Sequence, residues 1–314
     1  MRRALIIATL GLALSLGLAT EARADGVALA PSALDAKSRK GLADDIADAK
    51  RNRPAVFARV GSLRLKMAEL DDEKRGLLAS VSPILKAMGP EALMPMLEEL
   101  AFDAAPQGKL TDSAWLAWRV GLLEALGALR DARSASVAEA ILAGPNTDGP
   151  VMRAAAQALG KLNTVEAANQ LIALLPTADV DTRDAILAGM GHCRRALVAE
   201  RLAYELSQAN RDQVLVLARA LGDVGNAWAW RTPFVQATGE EGQVRGVAAE
   251  ALVDAFVVHH DARLLKRHLT QAILVVDHDA TPTLIAKARA GADATLDAAL
   301  DELLARFDRS PLRK

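Results

Sequence analysis

Residues 150–175 read PVMRAAAQALGKLNTVEAANQLIALL and contain two short helical patterns in succession. In the first, apolar residues recur at the spacing of one helix face: Val151, Ala154, Ala155, Ala158, Leu159 and Leu162. Thr164 is placed to cap a second helix, whose apolar face carries Val165, Ala168, Leu171, Ile172 and Leu175. Each helix has about a dozen residues and is marginal alone in water. The stretch therefore predicts a helix pair that stacks on neighbouring copies to bury its apolar faces.

A triplet of a small residue, a large apolar residue and usually glycine recurs every 31 to 33 residues. Its copies are Ala125-Leu126-Gly127, Ala158-Leu159-Gly160, Gly189-Met190-Gly191, Ala220-Leu221-Gly222 and Ala251-Leu252-Val253. We expect Gly160, near a helix end, to allow a sharp chain reversal. The repeat predicts an all-α fold, an α-solenoid of about seven or eight stacked antiparallel helix pairs. The expected pairs lie near 33–69, 72–103, 112–143, 150–175, 181–208, 211–238, 242–275 and 281–307.

Three stretches resemble HEAT-like repeats, in particular the short class known from phycobilisome lyases. They are VMRAAAQALGKLNTVEAANQLIALL, RDQVLVLARALGDVG and VRGVAAEALVDAFVVHHDARLLKRHL. The resemblance covers about residues 110–290, with 70–105 as a diverged copy. It implies a binding scaffold in which the second helices of the pairs line the concave surface. An enzyme of a lyase-like or isomerase-like repeat class remains an alternative, but the resemblance carries over no catalytic residue.

The first 24 residues have the pattern of an export signal. Arg2 and Arg3 precede the uncharged run 4–19, which is shorter than the ~20 residues that span a bilayer, and Ala22-Arg23-Ala24 fits a cleavage site. We expect residues 1–24 to be cleaved, 25–70 to form capping helices and 71–310 to form the repeat array. The mature protein is then periplasmic or secreted and has no stable membrane span.

The charge balance argues against a nucleic-acid-binding protein. The chain holds 38 Lys and Arg against 39 Asp and Glu. Cleavage after residue 24 removes three arginines and one glutamate, which takes the net charge from −1 to −3. Nucleic-acid binders have a basic excess instead. Since phosphate-binding loops and nucleophile motifs are also missing from the sequence, we expect a non-catalytic protein without a cofactor, whose partner is another protein or peptide. A purely structural envelope component is a further alternative.

The repeat is interrupted at LGDVGNAWAWRTPFVQATGEEG, residues 221–242. Here Trp228, Trp230 and Arg231 precede Pro233, where other repeats run straight into a second helix. Loops on rigid scaffolds often hold binding residues, and tryptophan and arginine dominate binding hot spots. We therefore predict partner contacts at Trp228, Trp230 and Arg231. The alternative is that both indoles fill a gap left by a shortened helix.

Basic residues gather in or beside three consecutive expected second helices: Arg194, Arg195, Arg201, Arg231, Arg263, Lys266 and Arg267. Stacking of those helices would align some of them as a basic strip on the concave side. We therefore add Arg201 and Arg267 to the predicted partner contacts. The alternative is an ordinary solvated surface with ion pairs to Glu200, Glu205 and Asp261.

Three other groups of residues could carry chemistry. His259, His260, His268 and His278 lie among aspartates and leave a metal-binding module as an alternative, although no pair has the spacing of a helical zinc site. Trp115 and Trp118 share a helix face and are expected in the core. Cys193 is the single cysteine and is expected to be a buried apolar side chain, with a reactive thiol or an intermolecular disulfide as alternatives.

Overall fold

A computed structural model describes residues 25–144 and 148–310 of the chain. The predicted export signal lies outside these residues. The described part of the chain forms 17 α-helices and no strands. None of these helices is both long and apolar enough to cross a lipid bilayer.

The helices have the following bounds: α1 Ala36–Asn52, α2 Pro54–Leu65, α3 Met67–Asp72, α4 Ser82–Ala87, α5 Leu93–Ala101, α6 Asp112–Leu129, α7 Ala135–Ala143, α8 Gly149–Lys161, α9 Val165–Leu174, α10 Val180–Met190, α11 Ala196–Ser207, α12 Arg211–Val224, α13 Pro233–Gln236, α14 Glu241–His259, α15 Arg263–Val276, α16 Thr281–Arg289 and α17 Ala294–Asp308.

These helices stack in two layers. In the first layer, α4, α6, α8, α10, α12, α15 and α17 each pack on the next. The second layer consists of α5, α7, α9, α11, α14 and α16 in the same order, while α1–α3 pack against α5 and α6. One hydrophobic core runs through the stack from Val27 to Phe307. The predicted all-α, solenoid-like fold is confirmed.

Six of the described α-helices, α1, α6, α9, α10, α12 and α17, begin at a capping side chain. Thr164 accepts a hydrogen bond from the backbone N–H of Ala167 (3.1 Å) at the start of α9, as predicted. Asn210 and Gln213 form a reciprocal capping box at the start of α12. Where such a cap is present, the local sequence determines where the helix starts, and packing on neighbouring helices supplies its stability.

The repeated triplets lie where neighbouring first-layer helices touch. A β-carbon added to Gly160 on α8 would lie 2.3 Å from the carbonyl oxygen of Gly189 on α10. One added to Gly189 would lie 2.4 Å from the Cβ of Ala156. The chain reversal after α8 is made by Asn163, whose φ is 57°. The predicted role of Gly160 in that reversal is therefore wrong, because its missing side chain serves the contact between α8 and α10.

The order in which the helices enter the two layers differs from the prediction after α12. The expected second helix of the pair 211–238 is reduced to α13, whose four residues are too few to fill a place in the second layer. The longer helix α14 fills that place and packs against α11. Gln243, near the start of α14, donates a hydrogen bond to Glu200 near the start of α11 (2.8 Å). The predicted pairs 242–275 and 281–307 form as α14 with α15 and α16 with α17, but in both pairs the second-layer helix now comes first in the chain.

The fifth triplet, Ala251-Leu252-Val253, consequently lies on a second-layer helix. The residue that continues the small-residue contacts of the first layer is Ala272 on α15, because a β-carbon at Gly222 would lie 3.2 Å from its Cβ. The backbone N–H of Ala227 also donates to the carbonyl of Val275 (3.1 Å). The ends of α12 and α15 thus meet side by side, as in the preceding first-layer contacts.

We predict that Gly160→Ala destabilises the protein by about 1–3 kcal/mol, because the added methyl group overpacks the contact with the backbone of α10. The matched control is Gly41→Ala in the exposed interior of α1, where an added β-carbon meets no atom within 4 Å. That change should stabilise the protein by about 0.5–1 kcal/mol through helix propensity. Urea unfolding measures both, and equal effects of the two substitutions would contradict this role of Gly160.

Candidate functional site

The interrupted repeat forms a strap, residues 226–240, between the end of α12 and the start of α14. Asn226 starts it with a tight turn in which its side-chain oxygen accepts hydrogen bonds from the backbone N–H groups of Trp228 (2.9 Å) and Ala229 (3.2 Å). A short 3-10 helix, Ala229–Arg231, and α13 follow. The strap is therefore an enlarged turn inserted within the α12/α14 pair.

Three contacts anchor the strap to the stack. Trp230 is fully buried, and its indole Nε1–H donates to the carbonyl of Val224 (3.0 Å). The carboxylate of Glu240 accepts a hydrogen bond from the backbone N–H of Ala196 (2.6 Å) at the start of α11, and it forms an ion pair with Arg195 (2.5 Å). Because both ends and the middle are held, the strap presents its outer side chains in a fixed geometry.

The outer side of the strap carries two aromatic rings, each covered by an arginine. Trp228 is 59% exposed, and the Arg231 guanidinium lies 4.1 Å from its ring centroid. Phe234 is 45% exposed, and the guanidinium of Arg130, from the end of α6, lies 4.2 Å from its ring centroid. Both separations are within the range of a cation–π contact. The strap thus reaches back from α12 to the end of α6.

A concave groove lies beside the strap on the first-layer face. It consists of two adjoining cavities of about 460 Å³ and 330 Å³, lined by residues of α8, α10, α12 and α15 or next to them. Arg153 from α8 and His268 from α15 line the same cavity although α10 and α12 stand between their helices. The stack therefore curves towards its first layer. The prediction placed the concave surface along the second helices, whereas this groove lies along the first-layer helices.

Polar and charged side chains surround a floor of small residues in this groove. Its polar lining comprises Arg153, Gln157, His192, Arg219, Asp223, His268 and Gln271. Burial, with the neighbouring charges of Lys161 and Arg194, lowers the pKa of His192 to about 4. Burial raises the pKa of Asp223, and Arg219 and Arg194 partly oppose that rise. At neutral pH the groove can therefore offer guanidinium groups, amides and a neutral imidazole to a ligand.

A second groove, of about 450 Å³, lies between α11 and α14 on the second-layer face. Its floor is apolar, with Ala203, Leu206 and Ala251, and its rim carries Glu250 and Asp254. Burial and the nearby charge of Glu250 raise the pKa of Asp254. This surface faces away from the strap and belongs to a different layer from the concave groove.

The structure separates the five residues predicted to contact a partner. Trp228 and Arg231 are exposed on the strap, whereas Trp230 is fully buried. The prediction of a direct partner contact at Trp230 is therefore wrong, and its indole fills the gap left by the shortened helix. Arg201 on α11 forms an ion pair with Glu205 (2.7 Å).

The predicted basic strip does not form. Arg267 is exposed on α15, which lies in the first layer, whereas Arg201 lies on α11 in the second layer. The two arginines therefore cannot align along one row of second helices. The reason is again the short α13, after which the second-layer helix comes first in each pair.

The other candidate groups are spread over the stack. Trp118 is fully buried and its Nε1–H points at Glu99 (3.4 Å), while Trp115 is half-buried beside Arg64. Cys193 is buried, and burial raises the pKa of its thiol to about 12. Three or more His, Cys, Asp or Glu side chains do not converge as a metal site anywhere in residues 25–144 or 148–310.

Sequence reasoning missed Arg130 and Phe234, which are distant in the chain and meet only through the curvature of the stack. The sequence does contain one signal of this edge of the stack. Arg130, Lys161, His192 and Asp223 follow one another at intervals of 31 residues, at the ends of α6, α8, α10 and α12. This column of ionisable side chains marks the edge of the stack that the strap crosses.

No known family model and no characterised protein matches the chain in sequence comparisons. The functional assignment consequently rests on the geometry of the strap and the groove.

We predict opposite outcomes for the two strap tryptophans. Trp230→Ala should destabilise the protein by about 3–5 kcal/mol, since it removes a fully buried side chain and its hydrogen bond. Trp228→Ala should change stability by no more than about 0.5 kcal/mol, because the ring is largely exposed. Chemical unfolding of both variants checks this, and a large loss for Trp228→Ala would show that its ring is part of the core.

We also predict that His192 makes stability depend on pH. Its pKa is about 4 in the folded protein against 6.5 for the unperturbed group. Protons therefore bind the unfolded chain preferentially as pH falls from 6.5 towards 4, and stability decreases over that range. The loss between about pH 7.5 and about pH 5 should be on the order of 2 kcal/mol. Urea unfolding of His192→Gln should show a smaller loss over the same interval, and an unchanged loss would contradict the assignment.

Proposed function

We propose that the protein is a non-catalytic, HEAT-like scaffold that binds another protein or peptide in the concave groove and against the strap. The export pattern of residues 1–24 supports a site of action in the periplasm or outside the cell. α-Solenoids commonly use their concave face and inserted loops for binding. The groove and the strap of this chain adjoin one another and together offer a surface of that kind.

The observation that carries the proposal is the exposed Trp228 on an anchored strap. The ring is 59% exposed and shares the outer side of the strap with Phe234, which is 45% exposed, and two exposed aromatic rings on one segment provide apolar area that a partner can bury. Trp230 and Glu240 hold the strap in place, so little conformational entropy is lost when a partner binds. Arg231 adds a charged edge beside the ring, and tryptophan with arginine is the residue pair most enriched in binding hot spots.

The lyase-like or isomerase-like alternative has one observation in its favour. Asp223 and His192 line the same cavity, and the pKa values of both are shifted from their usual ranges. Perturbed acids and bases in a cavity are a feature of active sites, but also of buried structural charges. Since the positive charges of Arg219 and Arg194 stabilise the Asp223 carboxylate, a structural role accounts for its burial, and we favour binding over catalysis.

The test is a cross-linking capture from the envelope fraction of the native host, with the chain from Asp25 as bait. We expect Trp228→Ala to reduce recovery of the captured partner by about tenfold or more, as for a hot-spot residue. The matched control is Tyr204→Ala, because Tyr204 on α11 is also an exposed aromatic residue (61%) in contact with an arginine. Recovery with this control should equal that of the wild type.

Two results would count against the proposal. Equal loss of partner in the Trp228→Ala and Tyr204→Ala variants would mean that capture does not use the strap. Capture of no protein by the wild type, together with turnover that depends on Asp223 or His192, would favour the enzyme alternative.

A further inference from the structure

Four arginines at the strap and in the concave groove form no ion pair within residues 25–144 and 148–310: Arg130, Arg153, Arg219 and Arg231. Other arginines close to this surface are neutralised by ion pairs with carboxylates. Arg195 pairs with Glu240 at the foot of the strap, and Asp131, next to Arg130 in sequence, pairs with Arg133 (2.7 Å). Guanidinium groups without an ion pair therefore gather where the strap borders the groove, although Arg219 and Arg153 lie near the carboxylates of Asp223 and Asp184.

The two arginines at the strap are held in an orientation suited to carboxylates. Arg231 stacks on Trp228 and Arg130 stacks on Phe234. A guanidinium that stacks on a ring keeps its N–H groups in its own plane, free to donate two parallel hydrogen bonds to one carboxylate. The rings also restrict both side chains, so less conformational entropy is lost when such bonds form.

The surroundings of Arg130 favour an anion further. Burial lowers the pKa of the Arg130 guanidinium, because its charge has lost water and gained no counter-charge. Burial also lowers the pKa of Lys161; the nearby Glu124 opposes that change, and Arg130 adds to it. A carboxylate placed beside Arg130 would compensate both groups.

The shape of the site favours a peptide over a long polyanion. The chain as a whole has a net charge of −1, so the positive charge is local and does not form the extended basic face that nucleic acids need. Leu215, Val216 and Val275 lie in the groove between the charged residues. Apolar side chains of a peptide can pack there while its carboxylates reach the arginines.

We propose that the concave groove and the strap bind an acidic peptide segment, with carboxylates on Arg130 and Arg231 at the strap and on Arg153 and Arg219 in the groove. This inference rests on the proposed function and names the chemistry of the partner. The partner segment alternates acidic residues with apolar or aromatic ones. Its affinity decreases with salt, because partly exposed charge pairs are screened.

The experiment uses two labelled synthetic peptides of about twelve residues, one with glutamates alternating with apolar residues and one with glutamines in place of the glutamates. Fluorescence anisotropy with the chain from Asp25 gives the affinity for each. We expect the glutamate peptide to bind at least about tenfold more tightly at about 50 mM salt, and this advantage to shrink at about 300 mM salt.

Variants locate the binding on the proposed residues. Arg130→Gln and Arg231→Gln combined should remove the advantage of the glutamate peptide, and Arg231→Lys should retain part of it because the charge remains without the planar fork. The matched control is Arg59→Gln, an exposed arginine of α2 with no ion pair within the described residues. It removes one positive charge, as each of the two strap substitutions does, and peptide binding should not change.

The outcomes separate this inference from the proposed function. Equal affinity for the two peptides, or an unchanged affinity in the Arg130→Gln/Arg231→Gln variant, overturns the acidic-peptide inference. Tight binding of polyphosphate without a preference for the glutamate peptide overturns it in favour of an anionic polymer. If a captured host protein still depends on Trp228 in either case, the scaffold proposal stands and only the chemistry of its partner is wrong.

Discussion

The architecture depends on the close approach of α8 and α10 at Gly160 and Gly189. There the backbones meet at a distance that no side chain permits, and small residues continue this contact at Gly127, Gly191 and Gly222. Most neighbouring helices of the second layer approach one another less closely. When one layer of a stack is packed more closely than the other, the stack curves towards it. The curvature places the groove on the first-layer face and brings Arg130 within reach of the strap.

Hydrogen bonds between successive turns hold the edge of the stack that the strap crosses. The side-chain oxygen of Asn163 accepts from the backbone N–H of Arg194 (2.6 Å), and the Arg194 guanidinium donates to the carbonyl of Asp223 (3.2 Å). Each turn thereby positions the next, which keeps the register of the repeats constant. The strap lies on this ordered edge, where it adds an exposed surface to the stack. Insertions in solenoids often serve binding for this reason.

Charge is distributed unevenly in a chain that is nearly neutral overall. Most arginines near α11 are neutralised, for example Arg183 and Arg201 by the shared carboxylate of Glu205. The arginines beside the strap lack such partners, and burial makes the charge of Arg130 unfavourable. Residues that reduce stability in the free protein are common at binding sites, where a ligand supplies the missing interaction. The unpaired arginines and the exposed Trp228 therefore point to the same surface.

The sequence by itself determined the all-α class, the period of about 31 residues, the capping residues such as Thr164 and Asn210, and the importance of the glycine triplets. These features depend on spacing within one helix or one turn, which a linear pattern reports directly. Only the tertiary structure decided that α14 rather than α13 takes the second-layer place beside α12, because only α14 is long enough to fill that place. It also decided that Trp230 is buried while Trp228 is exposed, and that Arg130 meets Phe234. The reason is physical: curvature is the sum of many interhelical contacts, and residues of distant repeats are brought together only when those contacts have formed.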